Sequence, residues 1–276
     1  MRNMNVAAVQ MRSGPEIEGN LLAARRLIAG AVAKGAELVL LPEYFAMLGA
    51  SLAARQATYE DDGDGAQQRF LAETARAHGI YLIGGCVPLR GQALTEPREL
   101  RARSACLVYG PDGARLARYD KIHLFQFADG EEAYDEARII EAGDTPVAFA
   151  APCGRVALSI CYDLRFPELY RGLGEVALTV VPAAFTATTG RAHWEVLLRA
   201  RAIENQCYVL AAAQDGSDAH GRETHGHSML IDPWGGIVAC LPHGEGVVSG
   251  TVDLTKIEKI RGSLPALKHR RLPGNR

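Results

Sequence analysis

Short apolar runs alternate along the chain with segments in which apolar residues recur every three or four positions. The continuous runs predict buried strands at 4–11, 37–45, 80–88, 155–161, 176–184 and 207–214. The segment 104–121 predicts a hairpin that turns at Pro111, Asp112 and Gly113. Strands that are apolar throughout are buried on both faces, so we expect sheets that helices cover on both sides.

Helices are predicted between most of these strands. Helical spacing or helix-start residues occur at 15–34, 65–78, 191–206 and in a short segment whose first turn carries Pro167 and Glu168. Gly35 and Gly79 are placed to stop the first two. The short helix lies between the strands at 155–161 and 176–184, which predicts a βαβ unit. The acidic stretch 128–136 is predicted to be a loop, and the C-terminal part to be β-rich, then helical, then basic.

This order of elements predicts an α/β protein with its active groups at strand ends. With 276 residues and no linker, repeat or low-complexity tract, the chain is expected to form a single domain. A formal net charge of −2 gives no electrostatic footprint for nucleic acid, and no apolar run predicts a signal peptide or a membrane span.

Six cysteines without a CxxC motif are expected to be reduced thiols, in the cytoplasm. The basic tail at about 262–276 is expected to pack on a partner subunit or to fray.

Three polar residues follow apolar strands or strand-like segments: Glu43 in LPEYF, Lys121 in YDKIHLF and Cys161 in SICYDL. Each has an ordinary explanation on its own. A glutamate after a strand is usually solvated, a lysine beside an aspartate is usually a surface pair, and a buried cysteine is usually inert. Together they supply a proton carrier, a positive charge and a nucleophile, which is the set that hydrolysis of an unactivated amide needs.

These residues predict a thiol mechanism in one pocket that needs no metal and no other cofactor. Lys121 is expected to favour the thiolate of Cys161 and to face the developing oxyanion. Glu43 is expected to take the thiol proton and to deliver it to departing ammonia. The backbone N–H of Tyr162, at the turn from strand to helix, is the expected second oxyanion donor.

The motifs around these residues resemble those of the nitrilase superfamily of carbon-nitrogen hydrolases, and the resemblance extends from AAVQM to LPALKHRR. It implies a Glu-Lys-Cys triad at Glu43, Lys121 and Cys161, a four-layer αββα sandwich and a homodimer. The family also has a second glutamate that touches both the lysine and the substrate region, and the matching position is Glu136 in YDEAR. Family members commonly have serine after this glutamate, whereas this chain has Ala137.

Two segments, AAFTATTGRAHWEVLLRARAIENQCYVLAAAQ and GHSMLIDPWG, resemble the Nit amidases, and more closely the deaminated glutathione amidases than the ω-amidases. This implies hydrolysis of the terminal amide of a small 2-oxoacid amide to carboxylate and ammonia, through a cysteine thioester. The site should then hold a substrate carboxylate, and Arg165 can grip one bidentately. Pairing of Arg165 with Asp163, Glu168 or another acid is the alternative. Phe185 and Thr189 match family positions that line the substrate site.

Other interpretations stay open at this point. A Cys-His hydrolase could use His193, His225 or His227 as its base. The last two form an HxH pattern that falls short of a zinc site. The same triad chemistry is also used by ω-amidases and by enzymes that hydrolyse carbamoyl compounds or nitriles. Pocket shape, and not the triad, decides the substrate. The alternative from a different class is a catalytically silent binding dimer built on the same fold.

Overall fold

A computed structural model of the protein describes residues 1–91, 101–129, 132–218 and 221–271, so the end of the predicted basic tail, 272–276, lies outside the described residues. In chain order the strands are β1 (Met4–Gln10), β2 (Leu38–Leu40), β3 (Tyr81–Arg90), β4 (Ala102–Tyr109), β5 (Arg115–Asp120), β6 (Gln126–Asp129), β7 (Glu132–Asp135), β8 (Ala148–Ala151), β9 (Gly154–Leu158), β10 (Leu178–Ala183), β11 (Tyr208–Ala213), β12 (Asp215–Ser217), β13 (Glu223–His225), β14 (Ser228–Ile231), β15 (Ile237–Leu241) and β16 (Gly246–Val252). The helices are α1 (Ile17–Ala33), α2 (Leu52–Ala57), α3 (Ala66–His78), α4 (Pro167–Gly172), α5 (Ala187–Asn205) and α6 (Leu254–Ser263), with 3₁₀ helices at Glu136–Arg138 and Cys161–Arg165. None of the described helices combines the length and the apolar character needed to cross a lipid bilayer.

Most of the strands belong to two six-stranded sheets. The first has the order β16-β1-β2-β3-β4-β5 and the second has the order β15-β14-β11-β10-β9-β8. Three neighbouring strands of each sheet are parallel: β1, β2 and β3 in the first sheet, and β9, β10 and β11 in the second. The strands on either side of them pair in antiparallel fashion. The hairpins β6–β7 and β12–β13 stand outside both sheets.

The two sheets pack face to face, and helices cover their outer faces. Alternate residues of β1 show this arrangement. Val6 and Ala8 enter the core between the sheets, whereas Ala7 and Val9 enter the core under α1 and α3. On the other side, Trp194 of α5 is fully buried against the second sheet. Both faces of these strands are therefore buried from solvent, which explains the continuous apolar runs. The predicted α/β class and four-layer αββα arrangement are confirmed.

Many predicted elements are confirmed. β1, α1, α3, β3 and β11 lie where the apolar pattern predicts them. Gly35 and Gly79 follow their helices with left-handed backbones, at φ 85° and 62°, a conformation that glycine adopts without a steric cost. The hairpin at 104–121 is β4–β5, and the predicted βαβ unit is β9, α4 and β10 with its strands parallel.

The predictions for segments 37–45 and 128–136 are wrong. The strand predicted at 37–45 is only the short β2, because the chain leaves the sheet and turns at 43–46. The acidic stretch 128–136 is not a loop in its described residues. They form parts of the hairpin β6–β7, and the 3₁₀ helix begins at Glu136. Local sequence did not reveal this hairpin because it belongs to neither large sheet and lacks an apolar run.

The helix predicted at 191–206 begins earlier, at Ala187. The hydroxyl of Thr186 caps its first turn by accepting from the N–H of Thr189 at 3.3 Å. Threonine is a preferred residue at this position, because its oxygen satisfies an N–H that has no partner within the helix.

Gly85 in β3 has no room for a side chain. A Cβ there would lie 2.2 Å from the carbonyl oxygen of Pro42 and 2.4 Å from that of Leu41. These backbone atoms immediately precede Glu43, so Gly85→Ala is expected to push the two segments apart and to lower the free energy of unfolding by about 1–3 kcal/mol. Chemical denaturation measures the change. The control Gly30→Ala, in α1 with no atom within 4 Å of the added Cβ, should keep or raise stability. Equal stability of the two variants would contradict the steric argument.

Candidate active site

Glu43, Lys121 and Cys161 come from distant parts of the chain and meet in one cavity of about 700 Å³. The Nζ of Lys121 lies 2.9 Å from Oε1 of Glu43. The Cys161 thiol lies beside the same carboxylate, close enough for each to shift the pKa of the other. All three side chains are buried. The structure thus brings together the three residues that sequence reasoning combined on chemical grounds.

Glu43 lies just beyond β2 and is held by residues of both sheets. The next residue, Tyr44, has a left-handed backbone at φ 56°, and its N–H donates to Sγ of Cys86 at 3.2 Å. The second sheet supplies two further contacts. Nε2 of Gln214, after β11, donates to the Glu43 carbonyl at 3.0 Å, and the N–H of Ala184, after β10, donates to its Oε2 at 3.0 Å. The direction of the carboxylate is therefore set by packing of one sheet on the other.

Lys121 follows β5, and its ammonium group is enclosed by carboxylates. Nζ donates to Oε1 of Glu43 at 2.9 Å and to both oxygens of Glu136 at 2.9 and 2.8 Å. Glu136 is itself fixed, because its Oε2 accepts from the N–H of Phe125 at 2.7 Å and its Oε1 accepts from the hydroxyl of Tyr44 at 2.9 Å. The three donors of the ammonium thus face three carboxylate oxygens.

Cys161 lies at a sharp turn between β9 and α4. The strand ends at Leu158, so Cys161 is the first residue of a 3₁₀ helix and not the last residue of the predicted strand. Its backbone is left-handed, at φ 47°. The fully buried Asp163 braces this turn by accepting from the N–H of Ile160 at 2.8 Å and from the hydroxyl of Tyr119 at 2.7 Å. Such a backbone persists only where neighbouring contacts hold it, and here they aim the sulfur into the cavity.

The two carboxylates beside Lys121 have pKa values that are pushed apart. Burial raises the pKa of Glu43, Lys121 opposes this rise, and the charge of Glu136 adds to it, so that the pKa lies above its ordinary value. Burial also acts on Glu136, but Lys121 and the N–H of Phe125 outweigh it and hold the pKa of Glu136 below the ordinary value. Glu136 is therefore the permanent counter-ion, and Glu43 is the carboxylate that can exchange a proton.

The thiol of Cys161 is neutral at rest. Burial raises its pKa well above the ordinary value, the charge of Glu43 raises it further, and Lys121 lowers it only in part. Lys121 does favour the thiolate, as expected, because its charge lowers the pKa of Cys161, but burial and the charge of Glu43 outweigh this effect. Lys121 itself stays charged, since Glu136 and Glu43 overcome the effect of burial and raise its pKa well above the ordinary value. A neutral thiol beside Glu43 requires its proton to leave as the sulfur attacks.

Four further residues singled out in the sequence line the same cavity: Tyr162, Arg165, Phe185 and Thr189. The guanidinium of Arg165 lies over the rings of Tyr162 and Phe185, 5.6 and 5.3 Å from their centroids. The N–H of Tyr162 belongs to the second residue of a 3₁₀ helix, where the helix itself offers no acceptor. Thr189 lines the cavity from the first turn of α5, and its Oγ1 lies 2.9 Å from Oγ1 of Thr186.

The alternative that Arg165 serves a structural ion pair is wrong within the described residues. None of their acids forms an ion pair with its guanidinium, whose Nη1 lies 3.2 Å from Nδ1 of His193. Asp163 instead lies 2.7 Å from the hydroxyl of Tyr119 and 2.8 Å from Nδ1 of His123. Arg165 thus has no acidic counter-ion among the described residues and lies at the wall of the cavity.

The described histidines do not supply a base beside Cys161. Within the described part of the chain, no histidine lines the cavity. His225 and His227 stack with ring centroids 4.2 Å apart, and His243 lies 3.1 Å from Asp215. Burial and the neighbouring histidines lower the pKa of His225 to about 4, so it is neutral. Over the same ranges, no group of three or more His, Cys, Asp or Glu side chains is arranged to hold a metal ion.

Sequence reasoning missed three residues that hold the site: Tyr44, Asp163 and Ala184. Tyr44 and Asp163 could have been suspected from their places directly beside Glu43 and Cys161. Ala184 leaves no signal in the sequence, because its contribution is a backbone N–H and not a side chain.

Similarity to known proteins extends over nearly the whole chain. A sequence model of the carbon-nitrogen hydrolase family matches residues 5–262. The deaminated glutathione amidase of Synechocystis sp. (strain PCC 6803 / GT-S) is 42% identical over 279 aligned positions, which cover 98% of this chain and 99% of that protein. Omega-amidase NIT2 of Homo sapiens is 36% identical, over 98% of this chain and 96% of that protein.

Solved structures show the same fold. The NitFhit protein of Caenorhabditis elegans superposes with a TM-score of 0.86 at 38% identity, over 98% of this chain and 66% of that longer chain. Nit3 of Saccharomyces cerevisiae, a member of branch 10 of the nitrilase superfamily, superposes with a TM-score of 0.84 at 28% identity, over 98% of this chain and 97% of that chain. Sequence and fold therefore lead to one conclusion, that the chain belongs to the carbon-nitrogen hydrolase family of the nitrilase superfamily.

Proposed function

We propose that this enzyme is an amidase that hydrolyses an amide of a 2-oxo acid. Cys161 is the nucleophile, Glu43 carries the proton, and Lys121 faces the oxyanion. The observation that carries the proposal is the buried cluster in which the Lys121 ammonium hydrogen-bonds to the Glu43 carboxylate and the Cys161 thiol lies beside that carboxylate. A nucleophile, a base and a positive charge close together are what acyl transfer from an amide needs.

The reaction has two halves. The sulfur of Cys161 attacks the amide carbon while Glu43 accepts the thiol proton. The N–H of Tyr162 donates to the oxyanion, and Lys121 stabilises it through its charge, since the three N–H groups of the ammonium face carboxylate oxygens. The C–N bond then breaks as Glu43 returns the proton to the leaving nitrogen, which leaves a thioester. In the second half a water gives a proton to Glu43 and attacks the thioester carbon. The sulfur leaves and takes that proton, which restores the thiol.

Glu136 acts in this scheme as a positioning residue. Its carboxylate stays charged because its pKa lies below the ordinary value. Lys121 therefore keeps a counter-ion during the steps in which Glu43 is protonated and neutral. Without it, the cation would lose a buried partner in every cycle, and buried charges without partners are costly.

The proposed substrate is deaminated glutathione or a close analogue, and α-ketoglutaramate is the second candidate. Relatives that carry these activities in their names align over nearly the whole chain. Arg165 suits the carboxylate of the 2-oxo acid, since within the described residues it has no acid partner. The cavity of about 700 Å³ leaves room for a substrate larger than α-ketoglutaramate. The expected release of ammonia applies to α-ketoglutaramate, which has a terminal carboxamide. For deaminated glutathione that expectation is corrected, because its amide nitrogen belongs to a dipeptide and the leaving group is the dipeptide amine.

The proposal also includes a single domain over residues 1–276, a homodimer and a location in the cytoplasm. All six cysteines are unpaired and five are buried, which suits a reducing compartment. Val196, Ile203 and Trp234 are 68%, 50% and 62% exposed, and large apolar side chains on the surface favour a subunit contact.

Cys161→Ala is expected to abolish turnover, because no other group in the cluster can form the thioester. The assay follows release of the 2-oxo acid from deaminated glutathione and from α-ketoglutaramate. Cys240→Ala, which removes an exposed thiol on β15, is the matched control and should keep wild-type activity. Turnover by Cys161→Ala equal to that of the control would eliminate the thiol mechanism.

The pH profile of kcat/KM is expected to fall on the acid side at a higher pH than an ordinary glutamate would give. Glu43 must be ionised to accept the thiol proton, and burial with the charge of Glu136 raises its pKa. Towards alkaline pH the profile should stay flat through the neutral range, because the raised pKa of Lys121 preserves its charge. Full activity down to about pH 4, the ordinary glutamate range, would contradict this role. Thermal unfolding in the same buffers separates titration from unfolding.

Arg165→Ala is expected to raise KM for amides of 2-oxo acids by about 10- to 150-fold, because hydrogen bonds to charged groups contribute about 1.5–3 kcal/mol. A neutral amide without the carboxylate should show no such rise. Steady-state kinetics on both substrates measure the difference. Arg69→Ala, which removes an exposed arginine paired with Asp64, is the matched control. Equal losses on the two amides would show that Arg165 is not the carboxylate clamp.

A further inference from the structure

The cavity is lined by more arginines than one substrate carboxylate needs. Four arginines of the described residues line it: Arg55, Arg138, Arg165 and Arg222. Arg138 forms an ion pair with Asp135. The other three form no ion pair with an acid of the described residues, and each lies over an aromatic ring. If Arg165 binds the 2-oxo carboxylate, two cations are left without an assigned partner.

Arg55 is the better placed of the two to hold a second anion. It lies on α2, and its guanidinium is 5.3 Å from the centroid of the Tyr44 ring. It is partly buried, between the main cavity and a small cavity of about 30 Å³ behind Tyr44. Arg222 lies over Tyr134 but is exposed at the rim. A partly buried charge attracts an anion more strongly than an exposed one, because less water screens it.

Arg55 also lies on the side of the cavity towards which the leaving group must extend. Glu43 returns a proton to the leaving nitrogen, so that nitrogen faces Glu43 and its substituent runs along the adjoining wall. The adjoining residue is Tyr44, and Arg55 covers its ring. Arg165 contacts a different wall, formed by the rings of Phe185 and Tyr162. The two cations therefore lie against different rings of the cavity wall, and in the proposed substrate pose Arg55 is on the amine side of the scissile amide and Arg165 on its acyl side.

We propose that Arg55 binds a carboxylate at the far end of the leaving group, so that the enzyme prefers amides whose amine component is itself an acid. This inference rests on the proposed amidase function. Deaminated glutathione has such a carboxylate, at the free C-terminus of its dipeptide. α-Ketoglutaramate has none, because its leaving group is ammonia. Arg55 is thus the specificity residue that separates two substrates on which the triad chemistry is the same.

The test changes the substrate and the enzyme together. Deaminated glutathione and its C-terminal carboxamide are compared on the wild-type enzyme, Arg55→Gln and Arg55→Lys. We expect the wild-type enzyme to prefer the free carboxylate by about 10-fold or more in kcat/KM, mainly through KM. Arg55→Gln should remove this preference. Arg55→Lys should keep part of it, because lysine retains the charge but not the bidentate geometry.

Two comparisons distinguish an anion site at Arg55 from a purely structural role of Arg55 and from an anion site at Arg222. α-Ketoglutaramate, assayed with each variant, reports any effect of Arg55 that is unrelated to the leaving group. Equal losses on all three substrates would mean that Arg55 only supports Tyr44, which overturns the proposal. Arg222→Gln tests the arginine at the rim. If that variant removes the preference and Arg55→Gln keeps it, the assignment to Arg55 is wrong.

The wild-type enzyme alone separates failure of this inference from failure of the proposed function. Hydrolysis of the carboxylate and the carboxamide at equal kcat/KM would refute the second anion site and leave the amidase function standing. Hydrolysis of none of the substrates would refute both. Thermal unfolding shows which variants are folded. Should Arg55→Gln not fold, the comparison of the two substrates on the wild-type enzyme and on Arg55→Lys still decides the question.

Discussion

The buried ammonium of Lys121 is the constraint on which the site depends. An unmatched charge at this depth would cost several kcal/mol, so the fold must bring it compensating oxygens. Glu43 arrives from the end of β2, and Glu136 arrives from the 3₁₀ helix after β7. Two segments that are far apart in the chain are thereby joined at the end of β5. The same contacts that satisfy the lysine also fix the direction of the carboxylate that faces Cys161.

One positive charge between two carboxylates leaves the cluster with an excess of negative charge. Burial raises the pKa of Glu43 and of the Cys161 thiol, a neighbouring carboxylate adds to each rise, and Lys121 opposes it only in part, so the thiol stays protonated. Such a nucleophile is activated in the step that uses it, since the proton moves as the carbonyl carbon is attacked. A neutral, buried thiol is also a poor target for oxidants and alkylating agents. Reactivity is thus coupled to occupation of the cavity.

In the proposed function, chemistry and specificity belong to different parts of this cavity. The charged cluster of Glu43, Lys121 and Cys161 acts on the scissile amide of any substrate. Arginines over aromatic rings form the walls, where they are partly shielded from water and have no acid partner within the described residues. A ring beneath a guanidinium orients it without neutralising it, so its charge is left for a ligand. Substitutions in the walls alone can therefore change which acid is bound, while the reaction at the charged cluster stays the same.

Local pattern was enough to predict the layers of the fold, because strands buried on both faces must be apolar throughout and helices between them must have one apolar side. It also indicated Glu43, Lys121 and Cys161, since each follows a strand and the three complete a chemical set. It could not give the hairpin β6–β7, the N–H of Ala184 or the protonation state of the thiol. The sequence by itself determined which side chains are present and which segments are buried. Only the tertiary structure decided which charges share the cavity, because a pKa depends on burial and on neighbours that distant parts of the chain supply.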